Sequence, residues 1–341
     1  MAHATFARGV RLYSNFNSLR EARTILAARA RVAPPSAADR RRADDYAREV
    51  LGSPGFAPWL NVYASVAGGF REGWIPDNFY GLAVVPRLKA GYRSIALLKT
   101  LSGRLLATPY LPDLAYLVRH RLYDRDYRPL ADLRAFRQGD IVFKSDGSQR
   151  GLAIRVFRPG DAIDFGSLPN GVFQPHVRQH EELAAFGGAA VATLRLTTVI
   201  EPDGRAGLRA AFIRFGRAGE DHVASATHVC ASVDLDSGEM PESGLLPSWL
   251  PVDRHPDTGV AFAGRKVPGF AACAKLAIEL QEKVPFLPCV GWDFAIDRQG
   301  VPVLLEWNGG HNGIKFSEAT AGPCFAGLGW EALGRAHAPR I

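Results

Sequence analysis

A chain of 341 residues and 37.0 kDa has room for about two domains, and its 47% hydrophobic and 22% charged composition excludes disordered, collagen-like and coiled-coil classes. No apolar run reaches the ~18 residues of a bilayer-crossing helix, so no membrane span is expected. Four scattered cysteines without a C-x-x-C pair speak against a zinc site or a disulfide framework and for a reducing, cytoplasmic setting. The net charge of +7 raises the question of nucleic acid, but only seven of the 41 basic residues are lysines, and no binding motif or aromatic–basic interleaving accompanies them. Scarcity makes each lysine a candidate for a task that needs a compact ammonium.

The first hundred residues read as mainly helical. Leu19, Ala22, Ile25 and Leu26 recur at helical spacing over residues 18–30. The arginine-rich, acid-poor start resembles a transit peptide, yet Glu21 and this apolar stripe favour a folded amphipathic helix. Pro34-Pro35 breaks the chain, and Ser36-Ala-Ala-Asp39 predicts a capped start to a second, arginine-rich helix toward Leu51.

From about residue 138 the period changes to that of strands. Residues 140–144 and 152–157 flank a turn-rich loop, Ser145-Asp-Gly-Ser-Gln-Arg-Gly151. Further strands are expected at 171–173, 192–200, 208–215, 291–296 and 301–307, with a helix over 268–283. Asp297-Arg-Gln-Gly300 joins the last two strands as an antiparallel hairpin. Helices mixed with hairpin-joined strands predict an α+β fold.

The densest chemistry lies in this last hairpin. On one strand Glu306 and Asn308 share a face, with Leu305 and Trp307 expected on the other, and Asp293 on the partner strand reaches the first face. Two carboxylates and an amide carbonyl form a hard oxygen donor set suited to Mg²⁺, or else a polar face turned to solvent. Lys144 ends one strand of a Gly/Ser hairpin whose backbone N–H groups and ammonium suit a polyphosphate. A Walker A loop is absent.

Together these elements resemble the ATP-grasp superfamily, and within it the sugar-transfer-associated ATP-grasp group, similar to glutamate-ligase-like enzymes. The resemblance is carried in order by Gly73-Trp-Ile-Pro-Asp77, Lys99-Thr-Leu, Lys144-Ser-Asp-Gly-Ser-Gln-Arg-Gly151, Phe173-Gln-Pro-His-Val-Arg-Gln-His180, Thr193-Leu-Arg195-Leu-Thr-Thr-Val199, His255-Pro-Asp-Thr-Gly259, Gly291-Trp-Asp293 and Leu305-Glu306-Trp-Asn308. It implies two α+β lobes with antiparallel sheets clasping ATP. The boundaries expected are a helical region over 1–105, a small lobe over 106–175 and a large lobe over 176–341.

The resemblance also implies roles. Lys99 and Lys144 would hold ATP phosphates, with Ser145, Gly147, Ser148 and Gly151 in a covering loop expected to be mobile without nucleotide. Gln174, Pro175, His176 and Val177 would form the lobe linker at the adenine edge, although a glutamate often stands where this chain has Gln174. Glu181 would meet the ribose, Asp293, Glu306 and Asn308 would hold two Mg²⁺ ions (or Mn²⁺), and Arg195 would face the γ-phosphate. His255, Asp257, Thr258, His311 and Lys315 are weaker substrate candidates, each equally at home in a structural turn.

The activity implied is that of a carboxylate–amine ligase working through an acyl phosphate on small-molecule substrates. A phosphotransferase, a thiol or sugar-amine ligase, and a non-catalytic nucleotide-binding scaffold of polysaccharide assembly are the alternatives. Oligomeric state and the identity of the substrates are left open by the sequence.

Overall fold

The computed structural model describes residues 2–136, 138–147, 154–220, 223 and 226–337. The chain opens with helices α1 (Ala2–Arg29), α2 (Ala37–Glu49) and α3 (Ala57–Ala67). α2 begins as expected, with the Ser36 hydroxyl accepting from Asp39 N at 3.0 Å. The Asp39 carboxylate accepts the Ser36 hydroxyl and also reaches out to Phe70 N at 2.8 Å, so the cap doubles as a tie to the next loop. A continuous helical run then joins α4 (Asp77–Phe79), a π-helical stretch at Tyr80–Val84 and α5 (Val85–Leu88), and α6 (Lys99–Leu106) follows.

Two antiparallel sheets follow, as an α+β chain requires. The smaller comprises β1 (Ala115–Val118), β2 (Arg121–Tyr123), β3 (Pro129–Leu130), β4 (Ile141–Ser145), β5 (Ile154–Phe157) and β6 (Gly171–Pro175), in the order β3-β2-β1-β6-β4-β5. After α7 (Glu181–Gly187) come β7 (Thr193–Ile200), β8 (Ala206–Phe215), β9 (Val229–Ser232), β10 (Gly244–Leu245) and β11 (Pro251–Val252). α8 (Phe270–Glu282), β12 (Cys289–Ile296), β13 (Pro302–Asn308) and α9 (Lys315–Thr320) complete the main elements. The larger sheet has the order β11-β10-β9-β8-β7-β12-β13, so the expected hairpin is its β12–β13 edge. The short strands β1–β3 and β9–β11 carry too few alternating positions to be read from sequence.

Alternation divides the large sheet into two faces. Leu194, Leu196, Ile213, Trp292 and Phe294 pack with α8 residues Cys273, Ala277 and Leu280, each large side chain contributing about 1.5–3 kcal/mol by burial. Trp292 stacks on Trp307 with centroids 5.8 Å apart, and its indole N–H donates to the Thr198 hydroxyl at 2.7 Å. That hydroxyl in turn donates to Gln281 on α8 at 2.8 Å, so the polar atoms of this core are satisfied. The opposite face carries Arg195, Arg214 and Asp293 toward one end and meets the N-terminal helices at the other, where Val199, Ala210 and Cys289 share a core with Trp59, Tyr63 and Tyr80.

Two local expectations change. β6 runs on through Gln174 and Pro175, which pair with Val142 and Ile141 of β4, so these two residues belong to the small sheet and the segment between the sheets starts at His176. The Gln174 amide donates to buried Asp113 at 2.8 Å, which holds it in the sheet. A β-bulge separates the pairs Asp293/Glu306 and Phe294/Leu304, which leaves Leu305 as the extra residue. Leu304 therefore joins Trp307 in the core, and Leu305, expected there, does not.

The helical region does not close a core of its own. Arg29 at the end of α1 is only 5% exposed and donates to the Ser65 hydroxyl at 2.8 Å, to Ser65 O at 2.7 Å and to Trp249 O at 2.5 Å. Replacing it leaves buried acceptors unpaired. Arg29→Ala should lower unfolding stability by about 2–4 kcal/mol in urea titration; a loss below about 0.5 kcal/mol would show the ties to Ser65 and Trp249 to be incidental.

Candidate functional site

The charged side chains converge where the small sheet faces the β12–β13 edge. On adjacent strands Asp293 lies opposite both Arg195 and Glu306. Its carboxylate accepts from Arg195 Nε at 2.5 Å and Nη2 at 2.7 Å, from Arg214 Nη2 at 2.8 Å and from Asn308 Nδ2 at 3.2 Å. The fork of Arg195 matches both carboxylate oxygens, the strongest form of this contact. Burial pushes the Asp293 carboxyl up, but the two guanidinia more than reverse this and hold it well below the usual carboxylate range. Burial likewise lowers Arg195, and Asp293 overcomes it, leaving the guanidinium with its proton held more firmly than usual.

Backbone geometry makes room for this. A Cβ on Gly291 would lie 3.0 Å from Arg195 Nη1 and 3.1 Å from the Asn312 Cβ, so the guanidinium occupies the space over a residue that has no side chain. Arg195 Nη1 also donates to Asn312 O at 2.6 Å. Arg214 escaped the sequence reading, although an arginine within the apolar run Ala210–Phe215 signalled it; its guanidinium lies over the Phe212 ring.

Lys144 comes from the other sheet. Its ammonium donates at 3.1 Å to Leu305 O, at the bulge beside Glu306. Burial lowers its pKa, Glu306 opposes the shift and Lys99 adds to it, so the two lysines and Glu306 lie within electrostatic reach of one another. The Asp146 carboxylate explains why: it accepts from Thr100 N at 3.0 Å and from the Thr100 hydroxyl at 2.7 Å, capping α6 beside Lys99 and tying that helix to the end of β4. Gly147 N adds a bond to Leu97 O at 2.8 Å. Ser145 is buried at the end of β4, whereas Ser148 and Gly151, and with them the expected covering loop, lie outside the described residues.

The segment after β6 borders a cleft of about 340 Å³ lined by Pro112, Pro175, His176, Val177, Arg178 and Val303, with the β12–β13 turn at its side. Val303 and Glu306 share a strand about 10 Å apart. Gln174 points elsewhere, to Asp113, and Glu181 is exposed as the first residue of α7.

The weaker candidates separate. His255 is buried with Nε2 3.0 Å from Gly216 O, Asp257 is locked by Arg217 and Ala218 N, and Thr258 donates to Phe186 O at 3.2 Å. This is a loop brace at the end of β8, with hydrogen bonds to none of Asp293, Glu306 and Asn308. Lys315 pairs with Glu21 of α1 at 2.5 Å and lies over Trp59. His311, three residues after Asn308, approaches Asp77 at 3.5 Å and packs edge-on against Tyr80.

For a metal ion the donor set is the right chemistry, two carboxylates and an amide oxygen. Among the described residues no three His, Cys, Asp or Glu side chains form a metal-binding group. Asp293 already accepts four N–H bonds, so it would enter a coordination sphere only by giving some up, which leaves Glu306 and the Asn308 carbonyl oxygen as the readier ligands. Paired carboxylates facing each other repel, and a cation between them would relieve that cost.

Removing the carboxylate strands two guanidinia, so Asp293→Asn should cost about 3–5 kcal/mol at neutral pH, read by urea unfolding. Because the Asp293 pKa is depressed in the folded state, its contribution is complete above the ordinary carboxylate value of about 4 and is lost as pH falls below it. Wild type and variant should therefore converge in stability on acidification; a constant gap from pH 6 to pH 2.5 would contradict the assignment.

Comparison with known proteins adds the following. Residues 165–327 match the model of the family described as sugar-transfer associated ATP-grasp, a span that contains Arg195, Arg214, Asp293, Glu306 and Asn308 and leaves Lys99 and Lys144 outside. No curated protein matches. Similar solved structures include N5-carboxyaminoimidazole ribonucleotide synthetase from Thermotoga maritima, at 10% identity and TM-score 0.34 over 62% of this chain and 41% of that one. D-alanine–D-alanine ligase from Bacillus anthracis complexed with ATP is 9% identical over 64% of this chain and 55% of that one, with TM-score 0.34. D-cycloserine synthetase DcsG is 15% identical over 70% of each chain, with TM-score 0.38. The chain thus spans about two fifths to just over half of the first two. Residues 165–327, where the charge cluster sits, are thus similar to the sugar-transfer associated ATP-grasp family.

Proposed function

We propose that the protein is an ATP- and Mg²⁺-dependent ligase that joins a small-molecule carboxylate to an amine through an acyl phosphate. The observation that carries this reading is the meeting of Lys144, from the small sheet, with Arg195, Arg214, Asp293, Glu306 and Asn308 of the large sheet. Cations outnumber carboxylates in this seam, and a triphosphate would restore the balance. The adjoining cleft along β13 would receive the base of the same nucleotide.

In the reaction a carboxylate oxygen of the substrate attacks the γ-phosphorus of ATP, the bond to the β-phosphate bridging oxygen breaks, and ADP leaves. The amine then attacks the acyl carbon and phosphate departs with the carbonyl–oxygen bond electrons. Phosphoryl transfer asks a protein for positioning and charge neutralisation, not for a nucleophile. Lys144 and Lys99 would hold phosphate oxygens, and Lys144 would exchange its bond to Leu305 O for one to phosphate. Arg195, fixed at three of its nitrogens, presents a preset guanidinium to the equatorial oxygens, so little reorganisation is needed as charge develops. Arg214 would neutralise the second side of the seam. Mg²⁺, held by Glu306 and Asn308 with Asp293, would supply Lewis-acid neutralisation of the phosphate oxygens.

The test is ADP release by the full chain with Mg·ATP and a panel of carboxylic acids, each with and without amines. ADP formation requiring both acid and amine is expected, and Glu306→Ala should reduce it about 100-fold or more. A stable phosphoester formed from an alcohol would overturn the ligase reading, and undiminished activity of Glu306→Ala would overturn the metal assignment.

A further inference from the structure

Lys89 takes no part in the seam, yet it is one of only seven lysines and has no exposed surface. Among the described residues no carboxylate pairs with it. Its ammonium instead donates to Gly310 O at 2.6 Å and to Asn312 Oδ1 at 3.1 Å, and sits 5.3 Å from the centre of the Tyr80 ring. The Tyr80 hydroxyl donates to the same Asn312 oxygen, while the Asn312 amide donates to Cys289 Sγ at 3.2 Å. Every polar atom of the Asn312 side chain is thus engaged from below by the helical region and β12.

The loop so held is Gly309-Gly-His-Asn-Gly313, which follows Asn308 directly. Three glycines in five residues give it little stiffness of its own. It nevertheless carries the carbonyl that orients Arg195: Arg195 Nη1 donates to Asn312 O at 2.6 Å, and the rest of the same guanidinium forks onto Asp293. An unbroken series of hydrogen bonds runs from Lys89 through Asn312 to Arg195.

Burying an ammonium without a counter-ion is costly, and an apolar side chain of similar volume avoids that cost. Burial lowers the Lys89 pKa to about 8, so the ammonium is still mostly charged at neutral pH. A position that served packing alone gains nothing from this charge.

We propose that Lys89 is a positioning residue that fixes the Gly309–Gly313 loop and, through the backbone carbonyl of Asn312, aims the Arg195 guanidinium at the γ-phosphoryl group. The inference rests on the reading above in which Arg195 meets that group. Its signature is selective: loss of Lys89 weakens nucleotides that carry a γ-phosphate and spares those that do not. A purely structural lysine would instead affect both alike.

Calorimetric titration of the full chain with Mg·AMP-PNP and with Mg·ADP reads this difference, together with hydrogen exchange by mass spectrometry over residues 309–313. Lys89→Met should bind AMP-PNP about tenfold more weakly, the worth of one charge-assisted contact, with ADP affinity changed less than about twofold. Exchange over 309–313 should rise while that of β12 stays as in wild type. Equal losses for the two nucleotides, or unchanged exchange in the loop, would overturn the proposal. Should Lys89→Met fail to fold, Tyr80→Phe removes the other donor to Asn312 Oδ1 and should shift the same ratio about threefold; an unmoved ratio there overturns it equally. A wild type that binds neither nucleotide would overturn the ATP reading and take this inference with it, whereas normal binding with an unmoved ratio overturns this inference alone.

Discussion

Asp293 is the constraint around which the site is organised. A fully buried carboxylate is tolerable only if its charge is answered, and here the answer comes from two neighbouring strands of the same sheet: Arg195 on β7, directly opposite, and Arg214 on β8, one strand further. Antiparallel register puts all three on one face, and that face is forced by the apolar alternation of Leu194, Leu196, Trp292 and Phe294 on the other. A one-residue slip in β7 or β8 would bury an arginine against α8, and one in β12 would bury Asp293 there. The hydrophobic core and the charged site are therefore two readings of one register, and each protects the other.

The bulge at Leu305 is the second device. A regular ladder would alternate Leu305 into the core and leave no backbone group facing the small sheet there. The extra residue changes the alternation, keeps Glu306 opposite Asp293, and presents a carbonyl that accepts the Lys144 ammonium across the seam. The buried lysine thus has a partner, and that partner is a neutral carbonyl. The Asp146 carboxylate at the N-terminus of α6 ties the helix that begins with Lys99 to the end of β4.

Much of this was legible in the sequence, for identifiable reasons. The β12–β13 hairpin, the strands β7 and β8 and the helix α8 have strong, long periodicities, and Glu306 and Asn308 stand two apart on a strand, a spacing that fixes their common side. What was hidden depends on tertiary partners. Nothing local announces the Leu305 bulge, because it is imposed by pairing. The family resemblance puts Gln174 and Pro175 in the lobe linker, yet both pair with β4 at the end of β6. His255, Asp257 and Thr258 suit a turn as well as a site, and their partners Gly216, Arg217, Ala218 and Phe186 could not be read from the sequence. Lys89 was signalled by the scarcity of lysine, but its role is invisible without the loop it holds.

The π-helical stretch at Tyr80–Val84 has a consequence of its own. A π turn accommodates one residue more than an α turn, and each residue advances a helix by about 100°. The run from Asp77 to Leu88 thus contains a phase shift, and Lys89 at its end points to Gly310 and Asn312 because of it. Keeping every residue but winding the stretch as an ideal α-helix would swing the lysine by about 100° around the axis. The spacing between the tyrosine and the lysine is in this sense a gear ratio, set by an irregularity that a helix-propensity argument would remove as a defect.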